Sequence, residues 1–180
     1  MTDLTIREWQ PAPNNDPHLE AELDMLAEAL HACVHNGANI GFVLPFSMGE
    51  ARSFWFDFIL PAVRARKRRA LLAMADGVIV GTVQIGLDTP ANQRHRADIM
   101  KLLVHPRARG NGVARALMIA IEDVARAEQR TLLTLDTTTG NHAERLYLSM
   151  GYTVLGVMPG HARGPFHPKT EDTTFFYKML

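Results

Sequence analysis

Apolar and polar positions alternate, cluster and break along the chain in a way that predicts seven strands and four helices. Leu4 to Trp9 predicts a short opening strand, which the stretch Pro11-Ala12-Pro13-Asn14-Asn15 interrupts. Leu19, Leu23, Leu26, Leu30 and Cys33 then recur at steps of three and four, the spacing of one helix face, with Asp16 to cap the helix and Pro17 in its first position. After a loop from His35 to Phe42, Ser47-Met48-Gly49-Glu50 has the Ser-x-x-Glu spacing that satisfies free amides at a helix start, and Phe54, Trp55, Phe58 and Ile59 give that second helix an apolar face. Ala70 to Ala75 and Val78 to Leu87 flank Asp76-Gly77, the type I′ dipeptide of a hairpin. A strand from Arg96 to Val104 runs through a Pro- and Gly-containing turn into a helix from about Gly112 to Gln129, with Leu117, Ile121 and Val124 on one face. Thr131 to Asp136 predicts a buried strand, and Asn141 to Met150 a helix that stops at Gly151. Tyr152 to Met158 and Thr173 to Leu180 close the chain as strands around a long loop, Pro159 to Asp172. This order predicts one mixed α/β domain over residues 1–180 with a central, largely antiparallel sheet.

Composition narrows the class. The 180 residues are 47% hydrophobic and 21% charged, ordinary globular usage that fits neither a disordered nor a fibrous chain. Nineteen Lys and Arg against nineteen Asp and Glu give a formal net charge of +0, so no global field draws nucleic acid or an anionic membrane, and a small partner is expected. Cys33 is the one cysteine, and the start, Met1 to Glu8, has an early acid and no apolar signal core; both point to the cytoplasm. The longest uncharged stretch, Ala29 to Gly49, contains His31, His35, Asn36, Asn39 and Pro45 and is not a membrane span. Arg64, Arg66, Lys67, Arg68 and Arg69 form a basic run where the second helix should end, and there cations complement exposed carbonyls. The eight histidines show no close ligand spacing, which disfavours a metal.

The chemistry concentrates in Leu102-Leu103-Val104-His105-Pro106-Arg107-Ala108-Arg109-Gly110-Asn111-Gly112-Val113-Ala114-Arg115. A strand enters a turn whose glycines let several amides converge, and a helix N-terminus adds partial positive charge: an anion cradle suited to a pyrophosphate. An ordinary strand-to-helix connection uses the same residue types, and the pattern alone leaves both open. A P-loop is excluded because no Gly-Lys-Ser/Thr ending follows, and the Gly-x-Gly-x-x-Gly dinucleotide fingerprint is missing.

With Arg107, Gly110 and Gly112 following Val104-His105-Pro106, the segment resembles the coenzyme A signature of the GCN5-related N-acetyltransferase (GNAT) superfamily. A second motif of that superfamily is matched by Leu146-Tyr147-Leu148-Ser149-Met150-Gly151-Tyr152. Within the superfamily the chain is most similar to the tabtoxin-resistance branch, on His35 to Phe42, Arg96 to Leu102 and His167-Pro168. The resemblance implies a GNAT-like fold with a splayed strand pair, and acetyl-coenzyme A as cosubstrate without a metal. Main-chain groups of Leu102, Leu103 and Val104 would meet the pantetheine arm, the Leu102 amide would polarise the thioester carbonyl, and the amides of Arg109, Gly110, Asn111, Gly112, Val113 and Ala114 would hold the pyrophosphate. Gly140 stands where the superfamily often has an Asn against the pantetheine arm, one place before Asn141, the candidate for that contact.

Acetyl transfer to an amine needs a neutral amine and a proton for the departing thiolate, whereas an alkyl ammonium has a pKa near about 10.4. Asp98 and Asp136 are candidates to hold or deprotonate the ammonium; as alternatives, Asp98 is an exposed strand position and Asp136 a turn-forming strand end. Tyr147 takes the superfamily's general-acid position; the alternative is a tyrosine packed on the sheet. His105 is expected in a turn, and His161, Arg163 and His167 in a substrate-covering or merely exposed loop. The implied activity is acetylation of a primary amine on a small molecule, amine-bearing antibiotics and toxins included. Acetylation of a protein N-terminus or lysine, and a non-catalytic acyl-coenzyme A sensor, are the competing readings, and a homodimer is compatible with each.

Overall fold

The computed structural model describes residues 3–166 and 168–180; His167 lies outside the described residues. Seven strands, β1 (Thr5–Glu8), β2 (Arg68–Ala75), β3 (Val78–Gly86), β4 (Arg96–Val104), β5 (Leu132–Thr138), β6 (Thr153–Arg163) and β7 (Thr170–Met179), form one sheet in the order β1-β2-β3-β4-β5-β7-β6. Only the β4–β5 pair is parallel. Helix α1 is Pro17–His35, α3 is Val113–Ala127 and α4 is His142–Ser149. Helix α2 runs without a break through Met48–Ser53, Phe54–Ile59 and Leu60–Arg64.

Local chemistry sets the ends. Asp16 accepts the His18 amide at 2.8 Å to cap α1, and Ser47 and Glu50 form a reciprocal capping box on α2. Within α2, Pro61 offers no amide to the carbonyl four residues back, and the ladder ahead of it widens to a π turn in which the Leu60 amide reaches the Trp55 carbonyl. Asp76 and Gly77 both take positive φ, 51° and 78°, as the tight β2–β3 hairpin requires. No helix among the described residues is long and apolar enough to cross a membrane.

Alternating residues of β2 feed two cores. Ala70 and Leu72 face α1 and α2 with Trp9 and Trp55, while Leu71 and Ala73 face α3 and α4 with Ile85, Leu117 and Leu135. Strand β4 breaks this alternation. Ile99 and Leu103 are four residues apart yet lie in opposite cores, because Met100 to Leu103 of β4 spans only Gln84 to Thr82 of β3. The extra residue is a β-bulge, and Lys101 within it has φ 53°. On the other edge, β4 pairs with β5 only from Arg96 to Asp98, whereas β5 continues along β7 as far as Thr138. Beyond Asp98 the two strands part.

Two sequence expectations change, and His105 keeps its expected place in a turn. Pro159 and Gly160 do not open a long loop: β6 extends to Arg163 and β7 starts at Thr170. A register shift between Met158 and Ala162 absorbs the turn residues, with Gly160 at φ 60° and its amide on the Asp172 carboxylate at 2.9 Å. The basic run is not one helix end. Arg64 closes α2, whereas Arg68 and Arg69 start β2, where Arg69 pairs with Glu8 and Glu128. His105 is a buried structural part of its turn: Nδ1 accepts the Arg107 amide at 3.1 Å and Nε2 meets Glu28 at 3.1 Å.

Candidate active site

The turn after β4 delivers the chain to α3 with an unusual start. Gly112 is the N-cap in a left-handed conformation, φ 78°, and among the described residues no side chain caps the first-turn amides of Val113, Ala114 and Arg115. Gly110 shares that φ, and a Cβ at either glycine would meet nothing within 4 Å, so the space over these amides is open to a ligand. Asn111 braces the turn from inside, donating to the carbonyls of Ala108 at 3.3 Å and Arg109 at 3.1 Å. Arg109, Gly110, Gly112, Val113 and Ala114 line a cleft of about 410 Å³ with Leu102, Leu103 and Val104. Arg107 does not reach it: its amide is tied to His105 and it borders a separate hollow beside Asp24 and Glu28. The Val104 carbonyl already accepts Arg109 Nε at 3.3 Å and Cys33 Sγ at 3.4 Å.

The cleft continues into the gap between β4 and β5. Ala38, Leu102 and Ala143 are shared with a second hollow that holds Tyr147 and Asn141, and Asn39, Lys101 and Asp136 are shared in turn with a third, of about 270 Å³, that reaches His161 and Thr173. One passage thus joins the uncapped amides of α3 to the carboxylate of Asp136. Asn141 is chiefly the N-cap of α4, accepting the Ala143 amide at 2.8 Å and donating to the Thr137 hydroxyl at 2.6 Å. Tyr147 is 5% exposed, its ring against Tyr152 and Phe176. Burial first, and then the charge of Asp136, pushes its phenol well above the usual value, so the hydroxyl keeps its proton.

Asp98 and Asp136 lie on the same face of the sheet but not in the same hollow. Asp98 pairs in register with Thr134, accepts its hydroxyl, and takes Arg96 at 3.3 Å. It borders a depression with Arg68 and Asp88, and Met100 is common to this depression and to the hollow of Asp136. His161 lines the far end of the passage, while Arg163 ends β6.

Sequence reasoning passed over Lys101, Cys33 and Arg115. Arg115 lines the cleft and donates to Ser149 Oγ at 2.6 Å; Cys33 is buried at its wall, its thiol pushed up by desolvation. Lys101 stands in the passage opposite Asp136. Simple alternation along Ala97-Asp98-Ile99-Met100-Lys101-Leu102-Leu103 would place Ile99 and Leu103 on one face, so the sequence carries no signal of the inserted residue that sends them to opposite cores.

A parallel strand pair that parts toward its carboxyl ends thus sets uncapped amides, which suit a phosphate, over one mouth and a carboxylate, which suits a cation, at the other. The chain belongs to the acetyltransferase (GNAT) family, whose model matches residues 34–152, and is an acetyl-coenzyme A-dependent N-acetyltransferase. It is 30% identical over 138 residues, 76% of either chain, to an uncharacterised N-acetyltransferase in the hisH-hisA intergenic region of Azospirillum brasilense. An IAA acetyltransferase of the same organism is 32% identical over 105 residues, 58% of this chain and 61% of the relative. Among solved structures, the ribosomal-protein-alanine N-acetyltransferase of Brucella melitensis superposes with a TM-score of 0.78 at 22% identity, covering 98% of this chain and 99% of that one. The structure of yncA from Salmonella typhimurium with its cofactor acetyl-CoA gives 0.77 at 22% identity, over 99% and 95%.

Proposed function

We propose that the enzyme acetylates a primary amine of a small molecule, an amine-bearing antibiotic or toxin of the kind handled by the tabtoxin-resistance branch. The passage that joins the α3 amides to Asp136 carries this reading. Its acceptor end is small, about 270 Å³, and the loop over it is tied down by Asn39 to Glu171 at 2.9 Å and by Lys101 to the Ile40 carbonyl, which suits a small molecule better than a protein tail.

In this reading the amides of Gly110 to Ala114 receive the pyrophosphate and the open edge of β4 near Leu102 receives the pantetheine arm. Acetyl-coenzyme A supplies the activated acetyl group. Asp136 holds the acceptor ammonium and passes its proton on through water, since an ordinary carboxylate is a weak base for an alkyl ammonium. Tyr147, kept protonated by burial, donates a hydrogen bond to the departing sulfur. Asp98 adds a second negative charge on the same face of the sheet. The same reading includes a homodimer: β6 is an edge strand with no charged residue before Arg163 and with Leu155 and Val157 exposed, so a second copy can pair along it.

The test is thiol release from acetyl-coenzyme A with a panel of small amines, peptide N-termini and lysine peptides. Small amines should be turned over best, and Asp136→Asn should lower kcat/KM by about ten- to a hundredfold at neutral pH, with partial recovery as pH rises and the amine neutralises itself. Full activity in Asp136→Asn would remove the acid from the mechanism. Peptides turned over in preference to amines would move the acceptor to proteins, and absence of thiol release with every acceptor would leave a binding module.

A further inference from the structure

We propose that Lys101 receives an anionic group of the acceptor, so that the acceptor is a dipolar molecule with a carboxylate near its reactive amine, as in an amino acid. The inference rests on the small-molecule amine reading above and narrows it. Lys101 projects from the β4 bulge into the hollow that Asp136 borders from β5. Its Nζ has one hydrogen bond, to the Ile40 carbonyl, and lies 5.6 and 5.8 Å from the ring centroids of Phe42 and Phe54; among the described residues it forms no salt bridge. Arg68, in the neighbouring depression and bonded to Gln84 Oε1 at 3.0 Å, is a second cation that forms no salt bridge among the described residues.

A half-buried ammonium beside another cation is electrostatically uncomfortable. Desolvation first, and then the charge of Arg68, holds the Lys101 pKa below its ordinary value, while Asp136 pulls the other way. Asp136 is close enough to be felt but forms no ion pair with Lys101, so the hollow presents one cation and one carboxylate, each available to a ligand. A simple monoamine would satisfy Asp136 and bring its positive charge toward Lys101 and Arg68. A carboxylate on the same molecule satisfies both ends at once, which is specificity by charge complementarity.

A structural role for Lys101, pinning the 39–41 loop through Ile40, makes a different prediction: it affects every acceptor alike. Thiol release from acetyl-coenzyme A is therefore measured on matched pairs, each proteinogenic amino acid beside its primary amide, and β-alanine and γ-aminobutyrate beside theirs, with simple alkyl amines as a third set. The amides have the intrinsic advantage at neutral pH, since no neighbouring carboxylate stabilises their ammonium form. In the wild type the best acid should nonetheless exceed its amide by about tenfold or more in kcat/KM, and Lys101→Met should bring that ratio down to about one or below, where the intrinsic advantage of the amide takes over. The wild-type ratio decides even if the variant does not fold. Amides or alkyl amines accepted as well as the acids, or a ratio unchanged in folded Lys101→Met, would overturn the assignment while acetylation of small amines stands. Absence of turnover with every amine would overturn both.

Discussion

The two ends of the passage are built from different material. The cleft under α3 takes its anion-binding groups from main chain, glycines at positive φ and uncapped amides within residues 102–115, while Cys33, Ala38, His142, Ala143 and Leu146 complete its wall. The hollow at Asp136 is made of side chains drawn from the 39–41 loop, the β4 bulge, β5, β6 and β7. Backbone recognition suits a group common to every turnover, because it tolerates changes of side chain. Side-chain recognition is where one enzyme can differ from the next in what it accepts. The contrast predicts that lesions in the first region abolish donor binding for every acceptor, and lesions in the second change rates or choices while donor binding persists.

The severest test is Gly112→Asp. An aspartate tolerates left-handed φ better than most residues, and its Cβ would meet no neighbour, so the fold should survive. The carboxylate would occupy the amides at the start of α3 and repel a phosphate there. Calorimetry should show acetyl-coenzyme A affinity falling by about a hundredfold or more, ~2.8 kcal/mol. Unchanged affinity in a folded variant would break the comparison at its first term.

Tyr147→Phe probes the junction of the two regions. The ring contacts with Tyr152 and Phe176 are retained and one hydroxyl is lost, so donor affinity should barely move while turnover falls about ten- to a thousandfold. Because burial and Asp136 hold the phenol proton well above the usual range, no loss of wild-type activity between neutrality and pH 10 should trace to Tyr147. Wild-type turnover in the variant, with chemistry limiting the rate, would return Tyr147 to packing.

The same contrast explains what the sequence discloses. A strand, a glycine turn and a helix start follow one another between Leu102 and Arg115, so the anion-binding part of the cleft can be read from one continuous run, as can the Asp76-Gly77 hairpin. Arg107 is the exception, because which way a turn residue points depends on His105 and Glu28, and Glu28 lies far away in the chain. The hollow has no such run. Lys101 meets Ile40 across 61 positions, and Asn39 meets Glu171 across 132. Pro159 and Gly160 likewise have the composition of a loop, yet the strand partner Thr170 to Thr173 holds them in a bulged hairpin. Asp98 and Asp136 fit one pattern in sequence, and only the point at which β4 leaves β5 assigns them to different hollows.

The smallest expected effect lies in stability, and it sharpens the view that the hollow carries charge for a ligand rather than for the fold. Lys101 has a folded-state pKa below the ordinary 10.5, chiefly through burial. At neutral pH the lysine is protonated in both the folded and unfolded chains, so the folded state bears the cost of a desolvated cation. As pH climbs from the folded pKa toward 10.5, the unfolded chain holds more of that proton than the folded one, and the stability of the wild type rises relative to a variant without the group. Lys101→Met has no such proton, and other titrating groups cancel in the difference between the two proteins. Denaturant midpoints at a series of pH values should therefore show Lys101→Met at its best against the wild type near neutrality, and losing ground through the alkaline window below 10.5. A difference that stays flat across that window, or runs the other way, would mean that the folded protein accommodates the ammonium without help, and the case for an anion in the hollow would lose its energetic support.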